Sequence, residues 1–182
     1  RRYISNTVQI LENLIHRVSR VAERAAKECL YYNDGPAYTP CCRVSSGVTD
    51  NGGFTYLPAL KLSRDPDSPE YSASSEYTCT AVRKMLAPVT GSVVLPADKA
   101  EWFSEPQYTK NGTLRCIRFG GVELTGEQLR EALGLRSAAV AITQEHDSFI
   151  FRTRGSGGGV GMSVYTADLM ARSGLSAQEI LQ

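Results

Sequence analysis

The chain lacks several features that would narrow its function at once. It has almost no net charge, since 20 Lys and Arg residues against 19 Asp and Glu residues leave a formal charge of +1. That balance offers no basic field that would bind nucleic acid or draw in acidic substrates. No apolar run approaches the ~18 residues that a membrane-spanning helix needs. We therefore expect neither a nucleic-acid partner nor a spanning helix.

The spacings that typify metal sites are also missing. The five cysteines are an odd number, so at least one has no cysteine partner within the chain, and their spacing fits neither a zinc ribbon nor a zinc finger. The vicinal Cys41 and Cys42 could contribute to a metal site with His16 or His146, but buried thiols acting as small hydrophobes are the commoner case. On a strand these two side chains would point to opposite faces. We expect no metal and no cofactor.

The N-terminal part begins with a strong helical pattern. Apolar residues recur at steps of three and four over residues 6–28, which predicts a long amphipathic helix. A turn signal at residues 33–36 then predicts a hairpin between strands at 30–32 and 37–45.

The next elements are shorter. Residues 55–62 and 70–78 are predicted as strands, because β-formers lie between turn-forming residues. Residues 80–86 are predicted as a short helix that stops ahead of Pro88.

Turn and helix-cap signals are clearer in the second half of the chain. Asn111 and Gly112 are a hairpin signal before a strand at 113–119 and a further strand at 122–124. Thr125 followed by Gln128 is a capping box that opens a helix, and Gly134 stands where a left-handed residue ends it.

The remaining elements complete the predicted fold. Strands are expected at 138–143 and 148–153, a helix at 162–171, and a last helix behind the capping box of Ser176 and Glu179. Helices and hairpins alternate irregularly, so the sequence predicts an α+β fold with a mostly antiparallel sheet, a long N-terminal helix and short C-terminal helices. We expect one domain over residues 1–182.

The most specific motif lies at the end of the chain. Residues 151–182 read FRTRGSGGGVGMSVYTADLMARSGLSAQEILQ. The stretch resembles the C-terminal signature of the SpoIID/LytB family of bacterial cell-wall proteins, which runs roughly GxGxGHGVGMSQxGAxxMAxxGxxxxxIL. The matching positions are Arg154, Gly155, Gly157, Gly159, Val160, Gly161, Met162, Ser163, Ala167, Met170, Ala171, Gly174, Ile180 and Leu181.

The resemblance extends upstream but is incomplete. Residues 121–137 and 20–49 follow further family segments, and Tyr56 begins a third that reaches Asp65, so the match covers residues 20–182. Three polar groups of the family are absent. Its histidine is Gly158 here, its glutamine is Val164, and the lysine after its tyrosine and leucine is Pro58.

The resemblance implies an extracytoplasmic protein, secreted or in the cell envelope, that acts on peptidoglycan strands in cell-wall remodelling or sporulation. Other cell-wall or sporulation proteins are possible partners. SpoIID proteins are lytic transglycosylases that cut glycan strands lacking stem peptides, and LytB relatives are called amidase enhancers. One carboxylic acid protonates the glycosidic oxygen and then takes the proton of the sugar's C6 hydroxyl as the 1,6-anhydro ring closes.

The position of that acid remains open, and so does whether the chain is an enzyme. In the family it is a Glu on a helix resembling EALKAQAVAARTYAL. Either residues 1–3 match the tail of that helix and the acid precedes residue 1, or Glu12 on the predicted long helix takes its place. A solvated helical carboxylate is the commoner explanation of Glu12. The alternative function is a non-catalytic peptidoglycan-binding or partner-docking module of the same fold.

Candidate glycan contacts follow from the same motifs. Tyr56 offers an aromatic face on which a saccharide could dock, and the matched hairpin contributes Ser45, Ser46 and Thr49. The C-terminal motif contributes Arg154, Gly157, Gly159 and Ser163. The glycine loop is not a Walker phosphate loop, because it lacks the lysine and the glycine spacing. For the loop and for Tyr56, plain packing within the fold is the competing explanation.

Overall fold

The computed structural model describes Ser19 and residues 30–181, and its fold is α+β with mostly antiparallel sheets. Apart from Ser19, which is helical, the predicted long helix over residues 6–28 lies outside the described residues, and so does Glu12. The chain forms two compact units, Arg1–Thr39 and Pro40–Gln182. A single domain over residues 1–182 stays a prediction.

The described part of the first unit is a hairpin. Strand β1 (Tyr31–Tyr32) pairs antiparallel with β2 (Gly35–Pro36). The loop between them has only two residues and places Asn33 at a φ of 52°, as tight hairpin turns require. The hairpin is thus tighter than the sequence predicted, because Gly35 and Pro36 belong to the second strand rather than to the turn.

The second unit contains the other elements. In chain order they are β3 (Cys41–Cys42), β4 (Ser72–Thr78), α1 (Cys79–Thr90), β5 (Phe103–Tyr108), β6 (Leu114–Phe119), β7 (Val122–Thr125), α2 (Gly126–Ala132), β8 (Val140–Glu145), β9 (Ser148–Arg154), β10 (Met162–Ser163), α3 (Val164–Arg172) and α4 (Ala177–Ile180). Two antiparallel sheets have the strand orders β4–β9–β8 and β5–β6–β7, and a short parallel pair joins β3 to β10.

The core lies where the inward faces of the two sheets meet α1 and α2. Strand β9 alternates as its sequence predicts, with Phe149 and Phe151 buried and Arg152 and Arg154 exposed. The ring of Trp102 packs edge-on against Phe119 with 6.0 Å between centroids. Burying each such side chain contributes ~2 kcal/mol, so this cluster fixes the frame on which the loops of the second unit are carried.

Two of the predicted strands are not formed as expected. Residues 55–62 consist of turns and a single bridge between Val48 and Lys61. Pro58 removes a backbone donor, and Leu60 is exposed, so the segment has no alternating buried face. The predicted strand over 37–45 shrinks to β3, whose partner is β10 rather than residues 30–32.

Two of the predicted helix boundaries also move. Helix α1 continues past Pro88 to Thr90, which is tolerated because the proline lies in the last turn and removes only one hydrogen bond. Helix α3 begins at Val164 instead of Met162, because the Ser163 side chain caps it by accepting from the Thr166 amide. No helix within the described residues is long and apolar enough to cross a membrane.

Candidate functional site

The glycine loop, residues 155–161, is held by backbone pairing with residues 40–50. The Ser156 amide donates to the Val44 carbonyl at 2.7 Å, and the Asp50 amide donates to the Gly159 carbonyl at 2.8 Å. A Cβ on Gly161 would stand 2.1 Å from the Pro40 carbonyl oxygen. Close packing of backbone on backbone therefore explains much of the glycine content of this loop.

A buried carboxylate links residues 40–50 to the residues that follow the glycine loop. Asp65 has no exposed surface. Its Oδ2 accepts from the Ser45 amide at 2.7 Å. Its Oδ1 accepts from the hydroxyls of Ser163 at 2.9 Å and Thr166 at 2.5 Å. Three donors around one carboxylate satisfy its charge at the N-terminus of α3, where the helix dipole also favours an anion.

An open groove of about 880 Å³ lies in front of the glycine loop. Its walls come from residues 50–53, from the turn between β5 and β6, and from the start of α2. The lining combines apolar surface with polar side chains, which include Asp50, Asn51, Lys110, Asn111, Arg115 and Glu127. The exposed ring of Tyr108 adds an aromatic surface. Hydroxyl-binding groups beside an aromatic face suit a polar, ring-containing ligand such as a saccharide.

Gly158 opens onto this groove. It lines the groove, its φ is not positive, and an added Cβ would meet no atom within 4 Å. It therefore differs from Gly155, Gly157 and Gly161, where an added Cβ would crowd neighbouring atoms. In the SpoIID/LytB family, which the sequence resembles, this position holds histidine. Here the position is accessible to a ligand but carries no side chain.

The turn between β5 and β6 is fixed against residues 40–50. The Asn111 side-chain amide donates to the Thr49 carbonyl at 3.0 Å. The Tyr108 hydroxyl donates to the Val140 carbonyl at 3.2 Å, and burial raises its pKa. These contacts hold one wall of the groove in place.

The serine and threonine candidates lie behind the groove rather than on its surface. Ser45 is buried, and its Oγ accepts from the Gly47 amide at 3.1 Å. Thr49 is buried and binds the Leu60 amide through Oγ1 at 2.9 Å. The hydroxyl of Ser46 is buried without a hydrogen-bond partner among the described residues. A glycan contact by any of the three stays a prediction.

The remaining candidates are dispersed around the loop. Tyr56 is half-buried in a turn and packs against Phe54 with 5.6 Å between ring centroids. Arg154 is exposed beside the β5–β6 turn and lines a second groove of about 680 Å³. Gly157 and Gly159 belong to the paired loop, and Ser163 is buried against Asp65. Their role in binding also stays a prediction.

The vicinal cysteines follow the predicted alternation. Cys41 is exposed and Cys42 is buried, so the prediction that their side chains leave opposite faces of the strand is confirmed. Burial, together with the nearby charges of Asp65 and Cys41, raises the pKa of the Cys42 thiol to about 11. Within the described residues no group of three or more His, Cys, Asp or Glu side chains could hold a metal ion.

Comparison with known proteins identifies relatives of the chain. Stage II sporulation protein D of Bacillus subtilis (strain 168) is 28% identical over 178 residues, which cover 94% of this chain and 50% of that protein. The protein of the same name from Bacillus amyloliquefaciens is 28% identical over 177 residues, covering 94% of this chain and 49% of that protein. The chain is a distant relative of stage II sporulation protein D. It spans about half the length of these curated relatives, and no protein-family model matches it.

The relationship to stage II sporulation protein D agrees with the resemblance found in the sequence. The groove, in contrast, is not predicted by the sequence. Asp50, Lys110 and Arg115 lie in separate segments and carry no motif of their own. The sequence indicates Asn111 as a turn residue and not as part of a groove. The sequence does indicate that Thr49, Asn111 and Gly158 all belong to loops, where binding residues concentrate.

Proposed function

We propose that this protein acts on the glycan strands of peptidoglycan outside the cytoplasm, with the groove in front of the glycine loop as its binding site. The observation that carries the proposal is the lining of that groove, in a relative of stage II sporulation protein D. Amides, hydroxyls and charged groups lie with Tyr108 in an open cleft. An open cleft suits a polymer better than a small metabolite.

The proposed reaction is cleavage of the lytic transglycosylase type. A protonated carboxyl group gives its proton to the glycosidic oxygen as the bond from that oxygen to C1 breaks. The sugar's own C6 oxygen then bonds to C1, and its proton returns to the carboxylate, so no water is consumed. We propose that the acid comes from outside the described residues, and Glu12 is the candidate within the chain.

A specific observation favours the alternative, a glycan-binding module without catalysis. Gly158 presents no side chain to the groove where the resembling family has histidine. Of the two groove carboxylates, Glu127 is bonded to Arg130 at 2.6 Å and Asp50 accepts from the Gly52 amide at 3.0 Å. Binding requires only the amides, cations and aromatic face that line the cleft.

One experiment separates these possibilities. Glycan strands freed of stem peptides are incubated with the chain and with Glu12→Gln, binding is measured by calorimetry, and products are analysed by mass spectrometry. Anhydro-muramyl products that disappear in Glu12→Gln would identify Glu12 as the acid. Products that survive the substitution would place the acid elsewhere. Binding without products would establish the module, and absence of binding would overturn the proposal.

A further inference from the structure

A second groove lies on the solvent-facing side of the sheet β4–β9–β8 and has a volume of about 680 Å³. Two arginines of the central strand, Arg152 and Arg154, line it. Because they stand at alternate positions of β9, their side chains leave the same face of the sheet, opposite to the buried Phe151. Tyr108 is the residue that this groove shares with the groove in front of the glycine loop.

The strands on either side of β9 present short side chains to this second groove. Ser74 on β4 and Ala141 on β8 lie directly opposite Arg152, and Ser72 lies directly opposite Arg154. Residues directly opposite each other in an antiparallel sheet share one face. The two guanidinium groups therefore stand beside small residues, and most of the surface of the groove is apolar.

The charges that line this groove are two cations and no carboxylate. Among the residues that the structure describes, the Arg154 side chain forms neither an ion pair nor a hydrogen bond. Arg152 donates to the Thr143 hydroxyl at 3.2 Å, and Glu145 lies 4.0 Å from its guanidinium in a pair of exposed side chains. Glu76 is on the same face of the sheet but outside the lining. The excess of positive charge favours an anionic ligand.

We propose that this groove binds an extended acidic peptide segment of a partner protein. The Cα atoms of Arg152 and Arg154 are ~6.8 Å apart along β9, and residues two apart in an extended peptide have the same spacing. A guanidinium donates two parallel hydrogen bonds to one carboxylate. A peptide with Asp or Glu at alternate positions therefore places one carboxylate beside each arginine.

The apolar surface of the groove favours a peptide over a phosphodiester polymer, which is another extended anion. The methylene and methyl groups of a peptide can pack on Ala141 and on the ring of Tyr108. That ring is held in place because the Tyr108 hydroxyl donates to the Val140 carbonyl at 3.2 Å. A chain of phosphates joined by polyols has little apolar surface to bury there. The proposal does not depend on glycan binding, since the two arginines line a different groove.

Two synthetic peptides test the preference for carboxylates. In one peptide glutamate alternates with threonine, and in its control glutamine replaces each glutamate. Calorimetry at low salt is expected to show about tenfold tighter binding of the glutamate peptide, because exposed ion pairs each contribute modestly. High salt is expected to remove the difference. Equal binding of the two peptides, or binding of neither, would overturn the proposal.

Variants then assign the preference to the two arginines. The double variant Arg152→Gln/Arg154→Gln is expected to bind both peptides equally weakly. The matched control Arg83→Gln/Lys84→Gln removes the same charge from exposed positions of α1, outside the groove, and is expected to keep the preference. Loss of the preference in both double variants, or in neither, would contradict the assignment. If the variant at 152 and 154 does not fold by circular dichroism, the two single variants replace it, and each is expected to lose part of the preference.

A glycerol phosphate oligomer distinguishes a peptide site from a phosphate site. At an equal number of charges it is expected to bind more weakly than the glutamate peptide, because it buries less apolar surface. Tighter binding of the oligomer that disappears in Arg152→Gln/Arg154→Gln would show that the groove recognises phosphate, and the peptide assignment would then be wrong.

Discussion

The carboxylate of Asp65 accepts a hydrogen bond of 2.9 Å from the hydroxyl of Ser163, 98 residues further along the chain. Ser163 is also the residue that caps α3. One buried carboxyl group thereby ties the 3₁₀ turn at Asp65–Asp67 to the end of the glycine loop. The Asp65 carboxylate therefore holds both the residues behind the groove and the start of α3.

Asp65→Asn is expected to lower the free energy of unfolding by ~2–3 kcal/mol, because an amide group presents hydrogen-bond donors to a site that supplies donors from three sides. Asp67→Asn is the control. Its carboxylate is exposed and pairs with Arg64 at 3.0 Å, so a change below ~0.5 kcal/mol is expected. Urea unfolding followed by the fluorescence of Trp102, the single tryptophan, measures both. Equal losses in the two variants would contradict the anchoring role.

Alanine substitutions in the glycine loop should differ in a defined order. At Gly161 a Cβ meets the Pro40 carbonyl and φ is +75°, whereas at Gly159 φ is +71° but the space is open. Of these two positions, an added Cβ is therefore overpacked at Gly161 but not at Gly159. We expect a loss of ~3 kcal/mol or more for Gly161→Ala and ~1 kcal/mol for Gly159→Ala.

Gly158→Ala completes this series as its internal control. Neither strain nor crowding opposes a side chain there, so stability should change by less than ~0.5 kcal/mol. Chemical denaturation of the three variants in parallel gives the order directly. A Gly158→Ala variant as unstable as Gly161→Ala would show that the loop is packed differently.

The two vicinal thiols should differ in reactivity. Cys42 is neutral below its pKa of about 11, which burial and the Asp65 and Cys41 charges raise, so at pH 8 about a thousandth of it is thiolate. The thiolate fraction, and with it the alkylation rate, rises as the pH approaches 11. Iodoacetamide labelling of Cys41→Ser and Cys42→Ser variants, followed by peptide mass analysis, resolves each thiol.

In that experiment the exposed Cys41 is expected to be labelled first, with Cys42 at least a hundredfold slower in the folded chain than in urea. The comparison with urea removes intrinsic differences between the two peptides. Rapid labelling of Cys42 at pH 8 in the folded chain would mean that its side chain is not on the buried face of β3.

Two tyrosines test where a glycan binds. Tyr108 lines the groove, whereas Tyr56 packs against Phe54 in a neighbouring turn. Removing a stacking ring typically costs on the order of 1 kcal/mol or more, so Tyr108→Ala is expected to weaken glycan binding by about tenfold, and Tyr108→Phe by much less. Calorimetry of Tyr56→Ala tests the prediction that Tyr56 contacts the glycan. A similar loss of affinity in this variant would extend the binding site to Tyr56.

Local signals were sufficient for much of the fold. The capping box of Thr125 and Gln128 forms with both of its hydrogen bonds, at 2.9 and 3.1 Å, and Gly134 adopts a φ of +61°. Strands β6, β8 and β9 were expected within a few residues of where they form. Such features depend on residues close in sequence, which is why sequence reasoning reaches them.

Features set by distant contacts were not accessible. Strand β5 contains a proline and an irregular register near Glu105, whose φ is 51°, so its sequence does not show the usual pattern. The groove combines Asp50, Lys110 and Gly158, which come together only through the pairing of two remote loops. The spacing of these residues in the sequence does not indicate that they lie close together.

The parallel pairing of β3 with β10 closes a loop that contains both antiparallel sheets. Closing a long loop costs more chain entropy than forming a hairpin, so we expect this contact to form after the sheets. A chain that ends at Arg154 possesses every strand of both antiparallel sheets, but it lacks β10 and also Gly158 and Val160, which line the groove. The core of the second unit and the completion of the groove therefore depend on different stretches of the sequence.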